Sequence, residues 1–148
     1  MLLTPHAVVG ATIGVLVPNP ALSVPLALGS HFLLDAVPHW QETLPPYTPH
    51  RGTWVRIPID AGLSVSLVGY IARSRHSAAA VWLTAGAAMA PDLDSVPYAI
   101  PRLVEGESAM TRYLRWHVGI QRETSSLLGL LPQILVILVC LIAVRRRQ

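Results

Sequence analysis

The apolar positions of this chain fall into five blocks, each closed by a proline or a charged turn. The first covers residues 6–17 and ends at Pro18-Asn19-Pro20, a strong turn signal. The second covers residues 21–37 and is closed by Pro38. A polar stretch at about 41–56, holding Pro45, Pro46 and Pro49, separates it from the third block at residues 57–72. The turn Arg73-Ser74-Arg75-His76 leads to the fourth block, residues 78–90, which Pro91 stops. A second polar stretch at about 92–122 precedes the last block, residues 124–144, which runs into three arginines.

A helix crossing a bilayer needs about 20 apolar residues. The last block meets this comfortably, the second and third are borderline, and the first and fourth are short. The short blocks are rich in small residues (Gly10, Ala11 and Gly14; Ala78, Ala79, Ala80, Gly86, Ala87 and Ala88), which suits close helix–helix contact in lipid. A soluble helical bundle accounts for the first four blocks. It fails for the last, which has no polar face between Ile134 and Val144. The pattern therefore predicts an all-α fold: a single-domain integral membrane bundle over residues 1–148, with about five hydrophobic helices, some short, and polar loops at about 41–56 and 92–122.

Composition supports lipid as part of the solvent. Hydrophobic residues make up 52% and charged residues 13% of the chain, against about 25% charged in an average soluble domain. The lone Cys140 lies in an apolar run, which excludes an internal disulfide and makes it a poor ligand. The basic residues are 11 arginines with no lysine, set against 8 acids. Arg73, Arg75, Arg145, Arg146 and Arg147 flank apolar blocks, the placement of topology signals rather than of a nucleic-acid stripe. No nucleic-acid partner is expected. Neither is a cleavable signal peptide of the usual form, because the start has no basic region.

If the chain reverses at each turn, His6, His31, Asp35, His39, His50, Asp60, Asp92, Asp94, His117 and Glu123 collect on one side. All four aspartates and five of the six histidines are then together, and only His76 is left out. Taken singly, each is an ordinary helix cap or headgroup contact. As a set they mark a function, since ionisable groups at membrane depth are costly. The compact arginine clusters on the other side place that side, with the C-terminus, in the cytoplasm and the polar cluster on the outer face.

The most specific piece is His31-Phe-Leu-Leu-Asp35-Ala-Val-Pro-His39. Positions i and i+4 share a helix face, so His31 and Asp35 can reach one metal ion, and His39 follows as a third ligand or a substrate contact. Imidazole with carboxylate suits Zn first, with Mn or Fe as alternatives. Asp92 and Asp94, in a turn stiffened by Pro91 and Pro97, can both face a cation. His6 is a ligand or an interfacial residue. His117 reads the same way, beside the aromatic pair Tyr113 and Trp116. Asp60 reads as an N-cap for the third helix, and His50 as a loop residue.

Thr4-Pro5-His6 with Gly10 and Gly14, then Ser30-His31-Phe-Leu-Leu-Asp35-Ala-Val-Pro38-His39, then Pro91-Asp92-Leu-Asp94, then His117, together resemble the bacterial inner-membrane metal-dependent hydrolases of the YdjM-like, LexA-regulated type. The resemblance covers most of the chain. It implies a membrane-embedded metal hydrolase. Near the last helix that family reads His-Arg-Gly-x-Thr-His-Ser, whereas this chain reads His117-Val-Gly-Ile-Gln-Arg122-Glu123, with Arg122 in place of the second histidine. Glu123 or His39 is left to fill that role.

The expected function is hydrolysis at the membrane surface, on a phosphoester or lipid-linked substrate. His6, His31, Asp35, Asp92 and Asp94 are the expected metal ligands, and His39, His117 and Glu123 the expected catalytic groups. Arginines in the two polar stretches could bind phosphate bidentately. The expected partners are membrane lipid and a small-molecule or lipid substrate. The alternative is a non-catalytic membrane protein whose His/Asp site is structural or serves transport. Almost no polar residues lie on the far side beyond Arg73, Arg75 and His76, which counts against transport.

Overall fold

A computed structural model describes residues 1–42, 50–73, 77–93 and 108–147. The described residues form six α-helices: α1 (Leu3–Leu16), α2 (Pro20–Asp35), α3 (Thr53–Ala72), α4 (Ala78–Met89), α5 (Ala109–Ile120) and α6 (Ser126–Arg145). Five correspond to the apolar blocks. The sixth, α5, lies inside the stretch expected to be a polar loop, and α3 begins at Thr53, inside the other. Both stretches hide helix because polar residues interrupt the apolar run that marks the other elements. On α5 only Leu114 and His117 are buried, so its apolar face is too narrow to register as a block. A capping box between Ser108 and Thr111 starts it.

Helix α1 is the centre of the bundle and packs against α2, α3, α4 and α6. It is buried on nearly every face, from Thr4 to Val8 and again at Gly10, Ala11, Thr12, Gly14 and Val15. At about 1.5 Å per residue its 14 residues span only about 21 Å, too short to cross a bilayer alone but long enough to fill the interior of a bundle. Its tightest neighbour is α4. A Cβ added at Gly10 would lie 2.5 Å from the Thr84 carbonyl oxygen and 2.7 Å from the Ala88 Cβ, and Gly14 is equally crowded by Thr84 and Ala80. The Gly-x-x-x-Gly spacing thus lets two backbones touch. Around this contact Ala7, Val8, Ala11 and Val15 meet Val68 and Ile71 of α3, Val81 and Ala85 of α4 and Val144 of α6.

The start of α1 is capped from another helix. Asp60 accepts hydrogen bonds from the Leu3 and Thr4 backbone amides at 2.7 and 3.2 Å, and from Thr4 Oγ1 at 2.5 Å. This corrects the expectation that Asp60 caps α3. It lies within that helix and serves α1 instead, supplying acceptors to amides that have no partner of their own. Asn19 caps α2 in the ordinary way, its side chain accepting from the Ala21 amide, with Pro20 opening the helix.

Two helices, α3 and α6, are long and apolar enough to cross a membrane, and each buries only 17% of its most apolar stretch within the molecule. Large aliphatic side chains such as Leu22, Leu33, Ile59, Val65, Leu127 and Leu135 are exposed, while His6, His31, Asp35, His39 and His117 are buried.

Candidate metal centre

Four chain segments bring the cluster together. Helix α1 carries His6, the last turn of α2 carries His31 and Asp35, the 3₁₀ turn over residues 90–93 after α4 carries Asp92, and α5 carries His117. The end of α2 is tied to the segment before α6 by main-chain bonds. The Arg122 amide donates to the Asp35 carbonyl (3.2 Å), the His39 amide to Arg122 (2.9 Å) and the Thr124 amide to His39 (2.8 Å). Gly129 of α6 permits this seam to lie flat, since any side chain there would strike the backbone of His39 and Trp40. Gln133 completes it, donating to the Trp40 carbonyl (2.8 Å) and accepting from the Leu2 amide (3.0 Å).

One ligand atom from each of His31, Asp35, Asp92 and His117 lies within 4.8 Å of every other. His31 Nε2 is 3.1 Å from Asp35 Oδ2, 3.0 Å from His117 Nε2 and 3.5 Å from Asp92 Oδ1, and His117 Nε2 is 3.1 Å from the same Asp35 oxygen. Ligand atoms held about 2.0–2.1 Å from a tetrahedral ion stand about 3.3 Å apart, the middle of this range. The donor chemistry points the same way. His31 Nδ1 faces the Ala88 carbonyl oxygen at 2.8 Å, and a carbonyl can only accept, so Nδ1 carries the proton. In the neutral ring Nε2 then presents a lone pair 3.1 Å from a carboxylate oxygen. That arrangement is met by a second proton on the ring, by a His117 Nε2–H 3.0 Å from His31 Nε2 and 3.1 Å from Asp35 Oδ2, or by a metal ion. A backbone carbonyl that fixes the tautomer of a ligating histidine is the usual outer support of a metal site.

His6 stands beside this group. It is fully buried, and among the described residues neither ring nitrogen makes a hydrogen bond of good geometry. Its Nε2 lies 3.3 Å from Asp35 Oδ1, outside hydrogen-bonding geometry, and its ring stacks on His31 with centroids 4.0 Å apart. A buried polar atom left unpaired costs about 1–3 kcal/mol. The α-ammonium of Met1 lies against the same carboxylate oxygen at 2.5 Å and 3.3 Å from Gln41 Oε1.

Asp92 forms the open side of the cluster, its side chain 29% exposed while His31 and Asp35 are at 0%. Burial pushes its carboxyl up to about 6.

Of the residues expected from sequence as ligands, His31, Asp35 and Asp92 are brought together, and His6 lies against Asp35. His117, expected as a catalytic group, lies with them in the group that could hold a metal ion. His39 does not join. Its Nδ1 donates to the Val37 carbonyl (2.8 Å) and its Nε2 faces Gln41 Oε1 at 3.4 Å, because the chain turns away after Pro38. Burial lowers its basicity. Glu123 lies outside the four as well, its carboxylate accepting from Gln41 Nε2 at 2.6 Å. Asp94 and His76 lie outside the described residues.

Sequence reasoning missed Gln41, which bridges Gln121 (2.5 Å), Glu123 and the Met1 nitrogen beside the centre. A lone glutamine at the edge of a proline-rich stretch carries no sequence signal. It also missed the clamp next to it, where Glu42 accepts from Thr53 Oγ1 (2.7 Å) and Arg56, and Arg56 lies over the Trp40 ring at 5.7 Å. The Arg56 guanidinium holds the Glu42 carboxyl below the usual range.

No family model matches this sequence, and neither curated proteins nor solved structures give a match to it.

Proposed function

We propose that this chain is a membrane-embedded, metal-dependent hydrolase of the YdjM-like type, with its centre built on His31, Asp35, Asp92 and His117. The observation that carries the reading is the convergence of those four ligand atoms within 4.8 Å, with His31 Nε2 turned inward by the Nδ1 bond to Ala88. A divalent ion there, Zn first by donor set, would supply a bound water acidic enough to ionise near neutral pH. With His117 at the ion and His39 turned to backbone, Glu123 is the remaining candidate for general base, positioned by Gln41 at the rim.

Lipid is the proposed surroundings. Apolar side chains on α2, α3 and α6 face outward and histidines face inward, the reverse of a water-soluble domain. The bundle would sit in a bacterial inner membrane with the C-terminal arginines in the cytoplasm and the centre on the outer face. Arg112, Arg115 and Trp116 on the exposed side of α5 suit a phosphate-bearing, amphiphilic substrate such as a phosphoester or a lipid-linked phosphate.

A second reading follows from the ligand count. Four protein ligands can close a tetrahedral site, and a closed site holds helices together without catalysis. The test is metal content of detergent-purified protein, wild type beside His31→Ala and Asp35→Ala. Near-stoichiometric metal lost in both variants supports the centre. A folded wild type that takes up no metal sinks it. Retained folding with lost phosphoester turnover in Asp35→Asn then favours the hydrolase, whereas unfolding favours the structural site.

A further inference from the structure

We propose that α5 is a latch on the centre. It seats against the bundle when His117 joins an ion held by His31, Asp35 and Asp92, and swings out about residues 119–121 when that ion is withdrawn. The proposal rests on the metal reading above and adds how that site is regulated. Three of the four ligands stand on firmly packed elements. His31 and Asp35 lie on α2 and Asp92 in the turn after α4, and both helices pack against α1. His117 does not share that footing. The apolar core is built from α1, α3, α4 and α6, and among the described residues α5 gives it no side chain.

Little else seats α5. Leu114 and His117 are its buried residues. Outside the centre its ring contacts with the bundle are to Phe32, itself half-buried, from Trp116 at 5.1 Å and His117 at 5.5 Å. Trp116 stays 54% exposed. A helix of 12 residues is marginal by itself, so tertiary contact decides whether it holds its place. The junction with the centre is His117 Nε2, 3.1 Å from Asp35 Oδ2 and 3.0 Å from His31 Nε2. Without an ion, hydrogen bonding makes that junction. With one, it becomes coordination shared among three chain segments, and the free energy of ion binding is then felt as folding free energy by the elements it joins.

The far end of α5 is pinned. Just past it the Arg122 amide donates to the Asp35 carbonyl at 3.2 Å, and the Arg122 carbonyl accepts from the His39 amide at 2.9 Å. The pivot therefore lies at Gly119 and the two residues after it. A Cβ at Gly119 would meet nothing within 4 Å, and glycine leaves the backbone free to turn. At about 1.5 Å per residue the start of α5 stands about 15 Å from this pivot, so a small rotation moves Met110 furthest. Arg112, Arg115 and Trp116, on the exposed side of α5, travel with it. The face proposed to meet phosphate thus reaches the Asp92 side of the centre only in the loaded state.

The experiment uses the full chain in detergent with Cys140→Ser and nitroxide labels on cysteines placed at exposed positions. Met110→Cys on α5 is paired with Leu63→Cys on α3, and Leu22→Cys on α2 with Leu63→Cys is the control pair. Pulsed electron paramagnetic resonance gives the distance distribution in chelator-stripped and Zn²⁺-loaded samples, and zinc per chain is measured in the same samples. The α5 pair is expected to be broad when stripped and to narrow to one distance when loaded, with the control narrow in both. An α5 pair that is unchanged while zinc binds overturns the latch and leaves the centre standing. A control pair that broadens on stripping also overturns it, since the loosening is then not confined to α5. No zinc uptake by a folded chain removes both readings. In a His117→Ala background the α5 pair should stay broad after zinc is added, and a narrow distribution there would show that packing alone seats α5 and overturn the proposal.

Discussion

Asp35 shows how much one residue can organise. Its carboxylate takes His31 and His117 on one oxygen and His6 and the Met1 ammonium on the other, all with no exposure to solvent. Asp92, by contrast, sits at the open edge, where burial raises its carboxyl to about 6. A carboxylate must be ionised to bind a metal, so protons compete with the ion below that value. Metal affinity should therefore be steady above about pH 7 as far as Asp92 is concerned, and fall as pH drops through about 6, by about tenfold per unit for each proton displaced. Titration of a fluorescent zinc competitor at several pH values measures this, and Asp92→Asn should flatten the slope. An unchanged slope in that variant would remove Asp92 from the ligand set. At Asp60 the expectation concerns stability. Its carboxylate caps α1 across a helix interface, so Asp60→Ala should cost about 1–2 kcal/mol and lower Tm in detergent, with metal still bound at His31 and His117. Tm equal to wild type would show that the cap is dispensable.

The decisive contact between elements is α1 against α4. The two helices approach through Gly10 and Gly14 on one side and Thr84, Ala85 and Ala88 on the other. That approach also places the Ala88 carbonyl within reach of His31, so the packing of two short helices sets the tautomer of a histidine on a third. Replacing Gly10 by leucine should force α1 and α4 apart, destabilise the bundle by about 1–3 kcal/mol and weaken metal binding together with folding. Gly62→Leu on α3 is the matched control. A Cβ there meets nothing within 4 Å, and its effect on Tm should be small. Equal effects of the two substitutions would contradict this account of the interface. Helix α5 behaves differently from the rest. It packs lightly on α2, and is held by His117 at the centre, by Trp116 against Phe32 at 5.1 Å and by the main-chain seam beyond it.

At the scale of the whole molecule, α1 packs among α2, α3, α4 and α6, and the outer faces of α2, α3 and α6 are apolar. Two helices are long enough to span a bilayer, and the polar centre lies where α1 begins and α2 and α4 end. If lipid is the solvent, the protein should stay with membranes through a high-pH carbonate wash, and a green fluorescent protein fused after Gln148 should be bright in the cytoplasm. A C-terminal alkaline phosphatase fusion that is active instead would reverse the orientation and put the centre on the cytoplasmic face.

Much of this was legible in the chain. The five apolar blocks gave five of the helices within a few residues, because a continuous apolar run and a proline stop act locally. The pairing of His31 with Asp35 followed from helical spacing alone, and alternation of direction brought His6, Asp92 and His117 to the same end. What only the tertiary structure decided depends on distance in space rather than in sequence. It turned His39 to its own backbone and Asp60 to another helix's amides, and it set His6 against the far oxygen of Asp35. Gln41 was drawn into the rim by Gln121 and Glu123, some 80 residues along the chain. Periodicity tells which side of a helix a residue occupies. Which atom it meets there is set by how closely the glycines of α1 and α6 let neighbouring backbones approach, and that is a property of the packed bundle.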